Sequence, residues 1–322
     1  MNQLEKRLCN ALQTGIPVCA RPFAAIARQM GSREQQVLDL TRRLKQNGTI
    51  RRIRAMLNYR ALGRTGTLVA AHVEPDVLKE AAEAVNALET VSHNYLRSHH
   101  YNLWFTLQAA SDAEIDITLA SLGGKLGIDF HSLPVVRVFK LDVRFDAESD
   151  DRAMLQDVEA VPSVEPVKLS RQEKSVLSGL AGELQITARP FAFLAVGGRS
   201  HTDVLRVIKR LVEKGVIRRI AAVIDHRRLG FTANVMLAAK VPPGRIEQAG
   251  HRLARFSTVS HCYERRTFPG WQYNLFAMMH ARSMGRIQHD VQRFAHAENI
   301  HAFELLPTEA ELKKHPVPHR LT

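Results

Sequence analysis

Cysteine is scarce in this chain. Cys9, Cys19 and Cys262 are the three among 322 residues, and none sits in a CxxC or Cys/His ligand spacing. A disulfide framework and a zinc knuckle are thereby excluded, and reduced, structural thiols with no metal site are expected. No run of eighteen apolar residues occurs, which excludes a membrane-spanning helix. No basic-then-apolar leader opens the chain either, where Leu4, Leu8 and Leu12 recur at helical spacing. A cytoplasmic protein without a membrane partner is the expectation. Aromatic residues make up only 6%, and the two tryptophans, Trp104 and Trp271, stand beside the motifs described below. Acidic side chains number 32 against 45 lysines and arginines, a net charge of +13, so the partner is expected to be an anion. Charge alone does not choose between nucleic acid, an acidic surface and a polycarboxylate small molecule.

What the chain has is a second copy of itself. GTIRRIRAMLNYRALG at residues 48–63 recurs as GVIRRIAAVIDHRRLG at 215–230, identical at nine of sixteen positions. RPFAAIA from Arg21 returns as RPFAFLA from Arg189, and VSHNYLR from Val91 returns as VSHCYER from Val259. A duplicated unit can pack as an internal pseudo-dimer, with the copies diverging to supply different groups to one cleft. Further association of whole chains into a homodimer stays open.

Each half opens with helical spacing. Pro22 suits a first helical position, Ser32 reads as an N-cap, and Val37, Leu40 and Leu44 form a stripe that stops at Asn47 and Gly48. The second copy repeats this with Val176, Leu177 and Leu180, then Pro190 to Ala195, then Leu205, Ile208 and Leu211. A two-strand wing is expected after each set. The remainder of each half alternates as strand, helix, strand, strand, helix, strand. The fold class is therefore α+β: a tandem duplication, each half a winged helix-turn-helix domain followed by a ferredoxin-like βαββαβ domain. The boundaries expected are 1–62 and 63–145 for the first copy, an acidic, proline-bearing linker at 146–167, then 168–230 and 231–315 for the second.

Residues two apart on a strand share a face, so His93, Tyr95 and Arg97 project together, as do His261, Tyr263 and Arg265, while Ser92, Asn94 and Leu96 project the other way. Such a row offers a proton donor near neutral pH, a hydroxyl and a carboxylate clamp. Beyond it lie His99, His100, Tyr101 and Trp104 in the first copy and Arg266, Trp271 and Tyr273 in the second, a concentration that suggests a broad pocket for a flat ring with acidic groups. His131 and His301, at the last strand of each copy, stand between a structural and a functional reading. His72, His201, His226, His251, His289, His296, His315 and His319 are read as structural. Arg51, Arg52, Arg218 and Arg219 suit either DNA phosphates or the surface between domains.

The helix-turn-helix with its G-x-I-R-R-I wing and following sandwich resembles the Lrp/AsnC family of transcription regulators along nearly the whole of each half. At VSHNYLRSHHYNLWFTL and VSHCYERRTFPGWQYNLFAMMH the resemblance narrows to the siroheme decarboxylases, and the chain is similar to a fusion of their two subunit types. That resemblance implies loss of carbon dioxide from the C12 and C18 acetates of siroheme. The product would be 12,18-didecarboxysiroheme, on the way to heme d1 or heme, with no external cofactor because the iron enters with the substrate. His100 departs from the family pattern, where a polar or acidic residue is expected. On this reading His93, His261 and either His99 or His100 supply protons, with Tyr95 and Tyr263 assisting. Arg97, Arg137 and Arg265 hold carboxylates, and a histidine ligating the substrate iron is the alternative role. Tyr101, Trp104, His131, Arg266, Trp271 and Tyr273 line the substrate pocket, with the wing arginines at its edge.

An acetate on a pyrrole releases carbon dioxide when protonation of the adjacent ring carbon makes the ring an electron sink, and a histidine of ordinary pKa, about 6.5, can supply that proton. Two other readings compete. A DNA-binding regulator with a small-molecule ligand fits the helix-turn-helix and the basic charge. Fusion with divergence points instead to an asymmetric task, and SREQQVLDLTRRLKQNG presents as many acidic and neutral as basic groups in its first turns, so nucleic acid is not the partner expected. A tetrapyrrole carrier without chemistry is the third.

Overall fold

The structure, a computed structural model, describes residues 1–149 and 165–314. The first helical set comprises α1 (Gln3–Thr14), α2 (Pro22–Gln29) and α3 (Glu34–Gln46). Asn2 and Glu5 close α1 with reciprocal caps, Pro22 opens α2, and Gly48, at φ 77°, follows the end of α3. Ser32 does not cap α3 as expected: the N-cap is Arg33, without a side-chain bond, and the Ser32 hydroxyl reaches the Gln36 side chain instead. In the second copy α6 (Arg171–Gly179) and α7 (His201–Glu213) carry capping boxes from Ser170 and Ser200. The helix expected at Pro190 to Ala195 is only a 3-10 turn, Ala192–Leu194. Gly197 and Gly198, both at positive φ, stand where the first copy has Gln29 and Met30, so α2's equivalent has no second turn to propagate through.

The wing differs as well. Strand β1 (Ile50–Leu57) has no hairpin partner in its own half; it pairs antiparallel with β6 (Ile217–Ile224) of the other, Ile53 opposite Ala222. One face of this shared ribbon, with Ile53, Ile217 and Ile220, belongs to a single core that also takes Leu8, Leu12, Phe23, Leu44, Val176, Leu177, Ile208 and Leu211 from both helical sets. The helical regions of the two halves are thus one packed body. The expected linker 146–167 lies outside the described residues from 150 to 164. Its described ends are packed: Ala147 is buried in the helical core beside Phe145, Asn10 bonds Asp146, and the Val167 amide donates to the Ala61 carbonyl.

The sandwich of the first copy is β2 (Thr65–Ala71), α4 (Leu78–Ala87), β3 (Val91–Arg97), β4 (Leu103–Ala109), α5 (Asp112–Leu126) and β5 (Phe130–Leu141). The second has β7 (Ala233–Ala239), α8 (Ile246–Ala254), β8 (Val259–Arg265), β9 (Leu275–Ala281), α9 (Met284–Glu298) and β10 (Phe303–Lys314). The order within each sheet, β5-β2-β4-β3 and β10-β7-β9-β8, is the ferredoxin-like one. The last strand of each copy runs for twelve residues because it serves both sheets. Phe130 to Pro134 pair with β2, and Val135 to Leu141 with β8 of the other half; Phe303 to Pro307 pair with β7, and Thr308 to Lys314 with β3. Pro134 and Pro307 mark the two switch points, where a residue without an N–H can leave one ladder before the next begins. Helices cover the outer face of each sheet, and the inner faces meet in a small core of Ala70, Trp104, Leu133, Met236, Ala238, Trp271, Phe276 and Leu306.

Candidate active site

β3 and β8 carry their rows on the inner faces, so the two halves present His93, Tyr95 and Arg97 against His261, Tyr263 and Arg265. The resemblance between copies extends to detail: ring centroids are 6.1 Å apart in the pair His93 and Tyr95 and 6.0 Å in His261 and Tyr263. Each histidine follows a register shift, between Val91 and His93 and between Val259 and His261, which makes Ser92 and Ser260 the extra residues of β-bulges. Strict alternation would turn both serines away. The bulges bring them back, Ser92 Oγ to 2.8 Å from His93 Nδ1 and Ser260 Oγ to 2.9 Å from His261 Nδ1. Ser260 donates its own hydrogen to the Met278 carbonyl at 3.2 Å, so it must accept from His261 Nδ1–H, leaving Nε2 as the nitrogen that titrates. Ser92 shares its hydrogen with Thr106 Oγ1 at 2.8 Å, in either direction, so His93 is less constrained.

Burial dominates the electrostatics. It lowers His93 to about 4, with Lys314 and Arg54 adding to the effect, and His261 to about 3, with His93 itself and Arg218 adding. The premise of an imidazole at its ordinary pKa is therefore corrected: without a bound anion both rings are neutral at pH 7. Tyr95 and Tyr263 are each pushed up to about 12, again by burial first, and remain hydroxyl donors. His93 and His261 sense each other and a ring of charges. Arg54 and Lys314 act on His93, Arg51 and Arg227 on Tyr95, and Arg218 and Arg60 on Tyr263. Glu311 and Asp142 oppose them. The wing arginines thus turn toward the sandwich: Arg51 pairs with Asp225 at 3.1 Å and Glu311 at 3.5 Å, Arg219 with Asp142 at 3.0 Å, and Arg218 donates to the Leu141 carbonyl. Arg52 shares a ribbon face with Arg54, two residues on. Of this ring, Arg54, Arg60, Arg227 and Lys314 escaped sequence reasoning, the first three although they belong to the repeated wing segment.

Arg97 and Arg265 have a different employment from the one expected. Both are buried, and Arg97 Nη1 donates to the Leu306 carbonyl at 2.7 Å while Arg265 Nη1 donates to the Leu133 carbonyl at 2.7 Å. Those carbonyls immediately precede Pro307 and Pro134, where the ladder is interrupted, and each is held by the arginine of the other half. Each guanidinium also lies over the tyrosine of its own row, 5.3 Å from Tyr95 and 4.9 Å from Tyr263. These arginines stitch the switch points together.

The broad aromatic pocket is corrected too. Trp104 and Trp271 are buried against each other, centroids 5.4 Å apart, and Tyr101 meets His131, Phe268 and Trp271 edge-on, so these rings fill the space between the sheets at the hairpin end. Tyr273 packs on Trp271 and donates to Glu304. His99 sits with this plug, its Nδ1 accepting from the Tyr101 amide, whereas exposed His100 stacks on His72 at 4.2 Å. The rise along β3 from His93 to the hairpin at Ser98 is roughly 16 Å, so neither joins the two facing rows. Arg137 lies on the helix-covered side, paired with Glu247 at 2.8 Å, away from Tyr263. Exposed Arg266 borders an outer cleft of about 890 Å³ with Lys240, Gln272, Asn274 and His301, and buried Arg265 forms part of its floor.

Comparison with known proteins bears on this arrangement. The AsnC-like ligand binding domain matches residues 61–140 and 228–313, and the siroheme decarboxylase NirDL-like HTH domain matches residues 5–51. The siroheme decarboxylase of Hydrogenobacter thermophilus is 35% identical over 316 residues, covering 97% of this chain and 93% of that one. The siroheme decarboxylase NirDL subunit of Paracoccus denitrificans is 33% identical, covering 100% and 94%. A crystal structure of the siroheme decarboxylase NirDL in co-complex with an iron-uroporphyrin III analogue superposes with a TM-score of 0.72 at 30% identity, covering 97% and 93%.

Proposed function

The chain belongs to the siroheme decarboxylase family, and from that premise we propose that it removes carbon dioxide from two acetate side chains of siroheme at a site its halves share. The observation that carries this reading is the convergence of His93, Tyr95, His261 and Tyr263 from two different copies beneath the cations Arg51, Arg54, Arg218 and Lys314. A symmetric regulator has no use for such an arrangement, and Arg51, Arg218 and Arg219, wing arginines that would grip DNA, are spent on Asp225, Glu311, Asp142 and the Leu141 carbonyl.

Siroheme is a polyanion, and anionic groups brought against a buried imidazole favour its charged form. Substrate therefore supplies what the unliganded site lacks: its carboxylates raise His93 and His261 toward neutral pH, and the proton that each takes up is the one it gives back. On His261 that proton sits on Nε2, because Ser260 holds Nδ1–H, much as an orienting partner fixes the ring of other catalytic histidines. Protonation of the ring carbon lets the C–C bond electrons of the acetate flow into the macrocycle as carbon dioxide leaves. The exocyclic methylene then takes a proton as the ring carbon gives one up, so each acetate converted to methyl consumes one proton. Tyr95 and Tyr263 stay protonated and donate hydrogen bonds. The cationic ring binds the spectator carboxylates and leaves the reacting acetate against the acid. No external redox cofactor is needed, since no net electron transfer occurs. The same Nε2 in its neutral form can ligate the substrate iron; a ligand-field band lost in the His261→Ala protein is the sign of that role.

A second reading is favoured by one observation, the size of the outer cleft, about 890 Å³, which suits a macrocycle. There Lys240 and Arg266 would hold carboxylates. Anaerobic incubation of the purified chain with siroheme, followed by mass measurement, is expected to show loss of two carbon dioxide units, and unchanged ligand mass would overturn the enzymatic reading in favour of a carrier. Lys240→Ala and Arg266→Ala proteins are expected to keep this activity; its loss in them would move the macrocycle to the outer cleft.

A further inference from the structure

The second copy carries two imidazoles that the scheme above leaves unused. His280 lies two residues beyond Met278 on β9, and Met278 is the register partner of His261, so His280 and His261 are diagonal neighbours on one sheet face. The His280 ring is 5.2 Å from that of His226, inclined at 65°. His226 belongs to the turn after β6, and the next two residues, Arg227 and Arg228, are exposed. Phe145 stacks on His226 and meets His280 edge-on, so that both are buried, at 5% and 7% exposure. Among the described residues, Nε2 of His226 and Nδ1 of His280 have no hydrogen-bond partner.

The duplication supplies the control. At the equivalent positions of the first copy stand Tyr59 and Gln108, which hydrogen-bond to each other. Phenol and amide hold the same turn against the same strand, yet neither can accept a proton on one atom and release one from another near neutral pH. Packing alone therefore does not require imidazoles here. The divergence of both positions together, in one copy only, is the divergence of a pair.

We propose that His226 and His280 form a one-sided proton path from the surface turn at Asp225 to the shared site, recharging His261 after each decarboxylation. This rests on the decarboxylase reading, in which every acetate lost consumes one proton. A proton arriving on Nδ1 of His226 is matched by release of N–H from its buried Nε2 toward the bare Nδ1 of His280, which passes a proton from its Nε2 to His261 in the same way, so charge and atoms balance without an added reagent. Around His226 stand Asp225, Arg51, Arg227 and Lys314, and around His280 stand His226, His261, Lys314 and Arg97. Burial and these cations hold both rings neutral at rest, the form that can accept at one nitrogen while donating from the other.

The test transplants the first copy's solution into the second. In His226→Tyr/His280→Gln, mixed with siroheme in a rapid-quench experiment, the first carbon dioxide is expected at the wild-type rate. Later turnovers should slow on the order of 10²-fold, the low end for a lost proton-transfer group, and the monodecarboxylated tetrapyrrole should accumulate. Steady-state turnover unchanged from wild type overturns the path. So does loss of the first turnover together with siroheme binding, or failure to fold in both this variant and His280→Gln alone, since the pair is then structural. Absence of carbon dioxide release from the wild-type chain would instead strike the decarboxylase reading beneath it.

Discussion

Replacing His93 and His261 together with alanine is expected to slow siroheme decarboxylation by at least 10²- to 10⁴-fold, the usual share of a positioned acid, with siroheme binding retained. Binding is spared because the spectator carboxylates are held by the cationic ring and not by the imidazoles. Equal loss of binding and rate would mean that the histidines hold the macrocycle. Ser260→Ala, in the same assay, removes only the partner that orients His261. A hydrogen bond of about 0.5–1.5 kcal/mol corresponds to a two- to twelve-fold fall in kcat, with KM unchanged. The acid stability of the unliganded double variant gives an independent reading. With folded values of about 4 and 3, below the unfolded value of about 6.5, both imidazoles bind fewer protons folded than unfolded across that window. Stability is therefore full above the unfolded pKa and is lost as pH falls from about 6.5 toward the folded values. Removing the rings should shallow this loss.

Arg97→Ala and Arg265→Ala are each expected to destabilise the fold by about 1.5–3 kcal/mol, the worth of a buried hydrogen bond to a charged donor. Each leaves a buried carbonyl at a strand switch without its donor, and the two sites lie on different strands with different acceptors, so the double variant should lose roughly the sum. Denaturant midpoints measure this. Unchanged midpoints with a raised KM for siroheme would return these arginines to the role of carboxylate clamps.

The duplication makes much of the fold legible in the sequence, because periodicity and turn residues are local: the helical spacing, the βαββαβ order and the rows on β3 and β8 follow from spacing alone. Pairing partners do not. Nothing in IRRIRAML says that its neighbour is IRRIAAVI from the other half, or that strands beginning at Phe130 and Phe303 cross into the opposite sheet, although the shared Leu-Pro at 133–134 and 306–307 was a trace of it. The bulges at Ser92 and Ser260 were invisible for the same reason, since a register slip depends on the facing strand, and without them the serines read as pointing away. Trp104 and Trp271 read in sequence as pocket walls, because the facing sheet that buries them lies far off along the chain. The likeness of RPFAFLA to RPFAAIA suggests a middle helix in both copies, but Gly197 and Gly198, at positive φ, end it after one turn in the second.

The shared site is tested most directly by anaerobic titration of the chain with siroheme, following the absorbance change to saturation. One molecule per chain is the expected end point, because the facing rows of both halves make one site between them. Saturation at two equivalents, one for each copy, would contradict it.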